Sequence, residues 1–243
     1  MKQRLDRLLV EQKLAPSREK AQALVMAGKV RVDGQPAGKS GRVIGEDSHL
    51  EVLGDDQIFV SRGGVKLQAA FEYFNINPSG LVALDIGSST GGFCHCLILG
   101  GAEKVYAVDV GYGQLAWELR QDSRVVSLER TNFRHLKFER LGEAVDLVVI
   151  DVSFISLRLI FPKALEFLKP GGTLLALVKP QFEAGAAEVG KRGKVSDTAV
   201  HKKVLEALKD EAQELGFLVL GQTKSAIVGK KSGNVEFFLW LKK

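Results

Sequence analysis

The sequence predicts an α/β protein: a mostly parallel sheet that ends in an antiparallel strand, preceded by a small α+β domain. Three observations carry this. From about residue 80 onward, apolar strand-like runs alternate with helical stretches, a pattern that puts helices on both faces of a parallel sheet. The last two strand-like runs, Phe217–Ile227 and Val235–Leu241, are separated only by a Gly/Lys-rich turn, so they pair antiparallel. Residues 1–42 hold ten Lys/Arg against four acids, whereas the whole chain has 34 against 29.

The first segment reads as two short helices and then small strands. Leu5, Leu8 and Leu9 mark one apolar face, and Ser17 caps a second helix that Gly28 ends. Val30 and Val32 alternate with Lys29 and Arg31 before an Asp33-Gly34 turn, and Leu50, Val52 and Leu53 form a further strand. This module closes near Asp55-Asp56. Strands follow at Leu81–Asp85, Val105–Asp109, Val125–Leu128, Leu147–Asp151 and Thr173–Val178, with helices in every gap and the longest from Thr198 to Leu215. The expected division is a domain over residues 1–58, a linker with a helix over 59–79, and a second domain over 80–243.

At 243 residues, 45% hydrophobic and 26% charged, the composition is that of a globular protein with a sizeable core. No apolar run approaches the roughly 20 residues of a membrane span, and Lys2 begins a charged N-terminus without a secretory h-region, so a cytoplasmic location and no membrane partner are expected. Cys94 and Cys96 stand one residue apart, a spacing that rarely forms a disulfide, and free thiols are expected. A structural metal site usually takes four ligands, and Cys94-His95-Cys96 has no second Cys pair, so no metal is expected. A net charge of +5 and a pI near 9.1 favour an anionic partner.

The run Leu84-Asp85-Ile86-Gly87-Ser88-Ser89-Thr90-Gly91-Gly92 follows an apolar strand and opens a helix. Glycines in that context let a ligand approach the backbone, with helix-N-terminal amides facing it. The spacing is not G-x-G-x-x-G, and the carboxylate of Asp85 repels phosphate, so a pyrophosphate cradle fits poorly. Asp85 instead suits the amino group of a cationic, amino-acid-like ligand. Asp109 ends the next strand, 24 residues on, where an acid bonds ribose hydroxyls. Together the two acids point to an adenosine-bearing cofactor. Asn132, past the third strand, can touch an adenine edge, although an Asn there is more often a turn former.

Four residues stand where a sheet of this kind puts its chemistry, at the carboxyl ends of strands or beside them. Asp151 ends the fourth strand, Lys179 ends the fifth in Lys179-Pro180-Gln181-Phe182-Glu183, and Glu236 lies early in the last strand. An acid inside that apolar run needs a partner. Lys66 follows Ser61-Arg62-Gly63-Gly64, where two glycines bring the backbone close and a helix begins near Lys66. The loop and its two acids resemble the first motifs of Rossmann-like S-adenosylmethionine methyltransferases. That resemblance implies S-adenosylmethionine held by Asp85, Gly87, Ser88, Ser89, Gly91, Gly92, Phe93, Asp109 and Asn132. The order Lys66, Asp151, Lys179, Glu236 resembles the Lys-Asp-Lys-Glu set of ribose 2′-O-methyltransferases of the FtsJ-like class, and implies that these four are catalytic. Lys179 is then the group that orients the hydroxyl or takes its proton, the latter only in its neutral form, which burial and Lys66 favour and the carboxylates oppose. Base N-methylation uses a Pro-Pro-aromatic step after the fourth strand, and Val152-Ser153-Phe154 is not one.

Residues 1–53 resemble the alpha-L RNA-binding module of a small-subunit ribosomal protein, on Arg4-Leu5-Asp6, Ser17-Arg18 and Ala27-Gly28-Lys29-Val30-Arg31-Val32-Asp33-Gly34. The resemblance implies phosphate contacts from Arg4, Arg7, Arg18, Lys20, Lys29, Arg31, Lys39 and Arg42. Joined through Ser-Arg-Gly-Gly-x-Lys-Leu to the second domain, the chain resembles the TlyA, or haemolysin A, family, although Lys231-Ser232 lengthens the glycine-bounded turn before Glu236. This implies transfer of a methyl group to a cytidine ribose, with ribosomal RNA or ribosomal subunits as partners. Two other readings are a membrane-active haemolysin, which lacks the amphipathic cationic helix it needs, and a non-catalytic ribosome-assembly factor. The Gly185–Lys194 stretch reads as a mobile substrate loop or a long connection.

Overall fold

The computed structural model describes residues 2–26, 28–52, 59–229 and 233–243. Ala27, Leu53, Asp55-Asp56 and the Lys230–Ser232 turn, all invoked above, lie outside the described residues. The chain divides into two compact units, Met1–Ile58 and Phe59–Lys243.

The first unit runs β1 (Lys2–Arg4), α1 (Leu5–Glu11), α2 (Arg18–Met26), β2 (Val30–Val32), β3 (Gln35–Pro36), β4 (Val43–Gly45) and β5 (Leu50–Val52). Asp33 and Gly34 both take positive φ, 52° and 78°, the requirement of a two-residue turn whose twist suits a hairpin, and β2 folds back on β3 there. The other edge of β2 pairs antiparallel with β5. Ser17 accepts from the Lys20 amide at 3.3 Å at the start of α2. Leu5, Leu8, Leu9, Ala21, Val25, Val30, Val32, Ile44 and Leu50 form the core of this unit. The β1–β4 pair went unforeseen, because each strand has three residues and β1 is Lys-Gln-Arg, with no apolar alternation to read.

The second unit opens with α3 (Arg62–Phe74), capped by Ser61, whose Oγ accepts from the Gly63 amide. It continues β6 (Val82–Ile86), α4 (Gly92–Leu99), β7 (Lys104–Val108), α5 (Trp117–Gln121), β8 (Val125–Leu128), β9 (Val145–Ile150), α6 (Phe161–Phe167), β10 (Leu168–Val178), α7 (Pro180–Glu183), α8 (Thr198–Glu214), β11 (Leu218–Lys224) and β12 (Phe237–Lys242). The sheet order is β11-β12-β10-β9-β6-β7-β8, parallel from β10 to β8. β12 runs antiparallel to both neighbours, so the chain's last strand is inserted between β10 and β11 rather than added at the edge.

Strand residues are buried on both faces, as a doubly covered parallel sheet requires. On one face Leu84, Ile86, Val148 and Ile150 pack with Phe161, Ala164, Leu205 and Leu208 of α6 and α8. On the other, Ala83, Val105, Leu147, Val149 and Leu175 pack with Leu67, Phe71, Phe93 and Leu97 of α3 and α4. Each such Leu or Phe contributes about 1.5–3 kcal/mol by leaving water.

Four sequence expectations are corrected here. The gap between β8 and β9 holds two short 3₁₀ turns, Phe133–His135 and Phe138–Arg140, instead of a helix. β10 begins at Leu168, five residues early, with an irregularity in its pairing to β9 between Leu168 and Thr173 that masked the strand's period. α3 starts at Arg62, so Lys66 lies one turn into the helix rather than at its start. Glu236 stands immediately before β12 instead of inside it.

Candidate active site

β6 is the point where the sheet order reverses: the chain moves from β6 out to β7 and β8 in one direction, and β9 and β10 lie in the other. Crevices form at such a switch point, outside the carboxyl ends of the strands. Here a cleft of about 390 Å³ is lined by Gly87, Ser89, Asp109, Val110, Asn132 and Asp151 together with Gln114, Thr131, Phe133 and Val152–Ile155.

The glycine-rich loop between β6 and α4 supports this cleft in an unexpected way. The Gly87 and Ser88 amides donate to the Val108 carbonyl at 2.9 and 3.2 Å, Ser89 N donates to Asp109 Oδ2 at 2.8 Å, and Gly91 N donates to the Ser88 carbonyl at 2.7 Å. These amides, which precede α4, are therefore committed inside the protein and leave no anion cradle at these positions. Their effect is to fix Asp109, whose Oδ1 also accepts from Gly111 N at 2.7 Å. Each carboxylate oxygen keeps a lone pair for a hydroxyl in the cleft. Gly87 has φ of 86°, and a β-carbon there would stand 2.6 Å from the Asp151 carbonyl, so the close approach of β6 and β9 requires glycine. Ser89 and Phe154 line the cleft at φ of 48° and 62°, the strained backbone that collects at functional sites.

The other loop residues sit behind the cleft. Asp85 is fully buried and does not line it; both its carboxylate oxygens lack a hydrogen-bond partner. Burial, then the charge of Asp151, push its carboxyl well above the usual carboxylate range, and the Cys94 amide and Asp109 act more weakly in opposite senses. A buried acid without a well-formed hydrogen bond, raised further by Asp151 and Asp109, fits a cationic ligand in the cleft, whose charge would offset theirs. Gly91 caps α4 in the left-handed region at φ 95°. A β-carbon on Gly92 would crowd Gly63 Cα at 3.1 Å and Gly64 N at 3.0 Å, so Gly92 allows α3 to cross close over α4, whereas Gly64 makes room for Phe59. Ser88 is buried, and Phe93 stacks on Phe238 in the core. Asn132 lines the cleft while its side chain caps the following turn, accepting from Arg134 N at 3.1 Å. Cys94 and Cys96 are buried free thiols, and burial pushes the Cys96 thiol up to about 12. Among the described residues no cluster of three His, Cys, Asp or Glu could hold a metal ion.

The two lysines and two of the acids form two ion pairs. Lys66 Nζ donates to Glu236 Oε2 at 2.5 Å, with both side chains buried or nearly so. Lys179 Nζ stands 2.6 Å from Asp151 Oδ1, at an angle that falls short of a hydrogen bond, and donates to Ser153 Oγ at 2.9 Å. The sheet brings the pairs together: the ladder ends with Val178 opposite Phe237, and Lys179 and Glu236 are the next residues on each strand. Asp151 is the residue after Ile150, whose strand neighbours Ala176. Ser153 was missed in the sequence because an exposed Ser in a loop carries no periodic signal.

In the first unit Arg7, Lys20, Arg31, Lys39 and Arg42 are exposed and Lys29 is half-buried. Arg4 and Arg18 converge on Asp6, which is fully buried and which the sequence marked only as part of the Arg4-Leu5-Asp6 motif, not as their partner: Arg4 bonds it through Nε and Nη2 at 3.0 and 2.8 Å, and Arg18 through Nη2 at 3.3 Å. The Arg4 guanidinium holds the Asp6 carboxyl well below the usual carboxylate range.

Residues 59–243 match the FtsJ-like methyltransferase family and residues 3–49 match the S4 domain. The chain is 48% identical to the Mycobacterium tuberculosis 16S/23S rRNA (cytidine-2′-O)-methyltransferase TlyA over 240 residues, 98% of this chain and 89% of that one. A solved Streptococcus thermophilus structure, described as a hemolysin candidate, is 44% identical, superposes with a TM-score of 0.78, and covers 100% of this chain and 88% of that one. An S-adenosylmethionine dependent methyltransferase from Mesorhizobium loti shares the fold at 14% identity and a TM-score of 0.52, over 72% of this chain and 96% of that one. No helix among the described residues is long and apolar enough to cross a membrane.

Proposed function

The chain belongs to the FtsJ-like methyltransferase family, and from that membership we propose that it transfers a methyl group from S-adenosylmethionine to the 2′-hydroxyl of a cytidine ribose in ribosomal RNA. The observation that carries this reading is the pair of lysine–carboxylate ion pairs, Lys66–Glu236 and Lys179–Asp151, at the carboxyl edge of the sheet beside the cleft. A ribose hydroxyl is a weak nucleophile that must be aimed in line with the methyl group and relieved of its proton. When bound, S-adenosylmethionine supplies an electrophilic methyl on a positively charged sulfur.

In this reading Lys179 orients the hydroxyl, only its neutral amine receives the hydroxyl's proton, and Asp151 and Ser153 fix where the Lys179 nitrogen stands. Lys66 and Glu236 close the other side of the acceptor position as a neutral pair. Asp109 would accept from the cofactor's ribose hydroxyls, with Gly87, Ser89 and Asn132 as the other cleft residues that would hold it. A cationic ligand in the cleft would offset the burial and the Asp151 charge that raise the Asp85 carboxyl behind it. The orphaned Asp85 oxygens and the glycine-bounded floor fit S-adenosylmethionine better than a dinucleotide. Residues 1–58 dock RNA through phosphate contacts of Arg7, Lys20, Lys29, Arg31, Lys39 and Arg42, and residues 59–243, which include α3 and Lys66, carry the transfer.

Incubation of the protein with labelled S-adenosylmethionine and ribosomal subunits, followed by mapping of the label, tests the proposal. Label on a ribose 2′-oxygen is the expected outcome. Label on a base, or none on RNA, overturns it.

A further inference from the structure

Asp151 and Lys179 leave the ends of neighbouring parallel strands, and the segments that follow them are joined at three levels. Nearest the strands, Lys179 donates to Ser153. Next, the Phe182 ring packs on Phe154 with centroids 4.9 Å apart. Furthest out, Glu183 accepts from Ser156 Oγ at 2.6 Å through Oε2 and from the Leu157 amide at 2.8 Å through Oε1.

The first two contacts are weak restraints, because Ser153 is exposed and Phe154 is 88% exposed. Phe154 also holds a left-handed φ of 62°, a strain of about 1–3 kcal/mol that lasts only where the surroundings impose it. Glu183 is the contact able to impose it. It is partly buried and forms no ion pair among the described residues, and both its oxygens are spent on the opposite segment. Burial pushes its carboxyl above the usual value, and Arg158 opposes this only after the two hydrogen bonds. A surface-type carboxylate with nothing to hold would turn to solvent; this one is retained against that preference.

We infer that Glu183 is a positioning residue: it ties the Lys179–Glu183 turn to the Asp151–Leu157 segment, so that Asp151 and Ser153 meet Lys179 and Val152–Ile155 keep the cleft wall. Its effect on rate rests on the methyl-transfer reading above; its effect on the segment does not. A carboxamide can meet the same two partners, its oxygen accepting from Leu157 N and its NH2 donating to Ser156 Oγ. Glu183→Gln therefore keeps the tie and Glu183→Ala removes it.

Both variants of the full chain are compared with the parent by hydrogen exchange at the Leu157 amide and by methyl transfer to ribosomal subunits. In Glu183→Ala, Leu157 exchanges at least about tenfold faster, and kcat falls at least about tenfold with KM for RNA changed by less than about threefold. Glu183→Gln returns both readouts to within about threefold of the parent. If Glu183→Ala does not fold, Glu183→Asp, one methylene too short to hold both partners, shows the same changes at smaller size. Unchanged Leu157 exchange in the Ala or Asp variant, or a Gln variant as slow as Ala, overturns the inference. A parent protein that transfers no methyl to RNA, with Leu157 exchange responding as described, removes the methyl-transfer reading and leaves the tie standing.

Discussion

Lys66 and Glu236, 170 residues apart in the chain, meet as a buried ion pair 2.5 Å long. Neither charge could be held there alone, since removing one partner strands the other in a poorly solvated place. Glu236→Ala is expected to cost about 3–5 kcal/mol in urea unfolding of the second unit, whereas the paired change Lys66→Met with Glu236→Leu costs much less or nothing. A single variant as stable as the parent would show that the pair is not desolvated.

Lys179→Ala is expected to lower methyl transfer by about 10²-fold or more, while the Kd for S-adenosylmethionine changes by less than about threefold. The lysine stands against Asp151 and Ser153 but is absent from the cleft lining, so its loss touches the acceptor hydroxyl and not the methyl donor. Parallel single-turnover and calorimetric measurements check the split.

Asp85 couples ligand binding to pH. Its carboxyl is raised in the fold, so the folded chain takes up a proton more readily than the unfolded one, and this group's contribution to stability falls as pH rises through that range. Asp85→Asn removes that cost, and the ligand-free protein is expected to melt at least about 2 °C higher at neutral pH. The same change removes a group that can ionise to suit a cationic ligand, so S-adenosylmethionine binds more weakly. In the parent, affinity rises as pH rises through the range in which the raised Asp85 carboxyl loses its proton. Calorimetric titration at stepped pH on both sides of neutrality reads this, and a Kd that is flat throughout contradicts it.

Asp6 behaves in the opposite sense. Its carboxyl is depressed in the fold by Arg4, Gln22 and Arg18, so the stability it contributes is present above the unfolded value of about 3.9 and is lost as pH falls below it. Asp6→Ala should destabilise the first unit by about 1–3 kcal/mol at neutral pH and leave the second unit's unfolding unchanged. Unfolding of each unit followed by residue-resolved NMR separates the two effects.

Much of the architecture was legible because it follows from local rules. The strands at β6, β7, β8 and β9 are mostly apolar runs, each with a single polar or charged residue, and the Asp33-Gly34 hairpin is set by backbone geometry that few other residues tolerate. Where those rules were interrupted the reading shortened or failed: Lys169–Gly172 hid the start of β10, and β1, with no apolar residue, gave no signal.

The sequence by itself determined which chemistry-bearing residues the chain possesses and which strand ends carry them, since an acid or lysine closing an apolar run is visible without a fold. Only the tertiary structure decided who partners whom. Lys66 joins Glu236 because α3 crosses α4 closely at Gly92 while β12 inserts beside β10; Lys179 joins Asp151 because β10 lies against β9. The loop amides turned inward to Asp109 and Val108 for the same reason. Pairing of this kind depends on which strands become neighbours, and neighbour choice is fixed by burial of both sheet faces over the whole domain, a property that no local stretch of sequence contains.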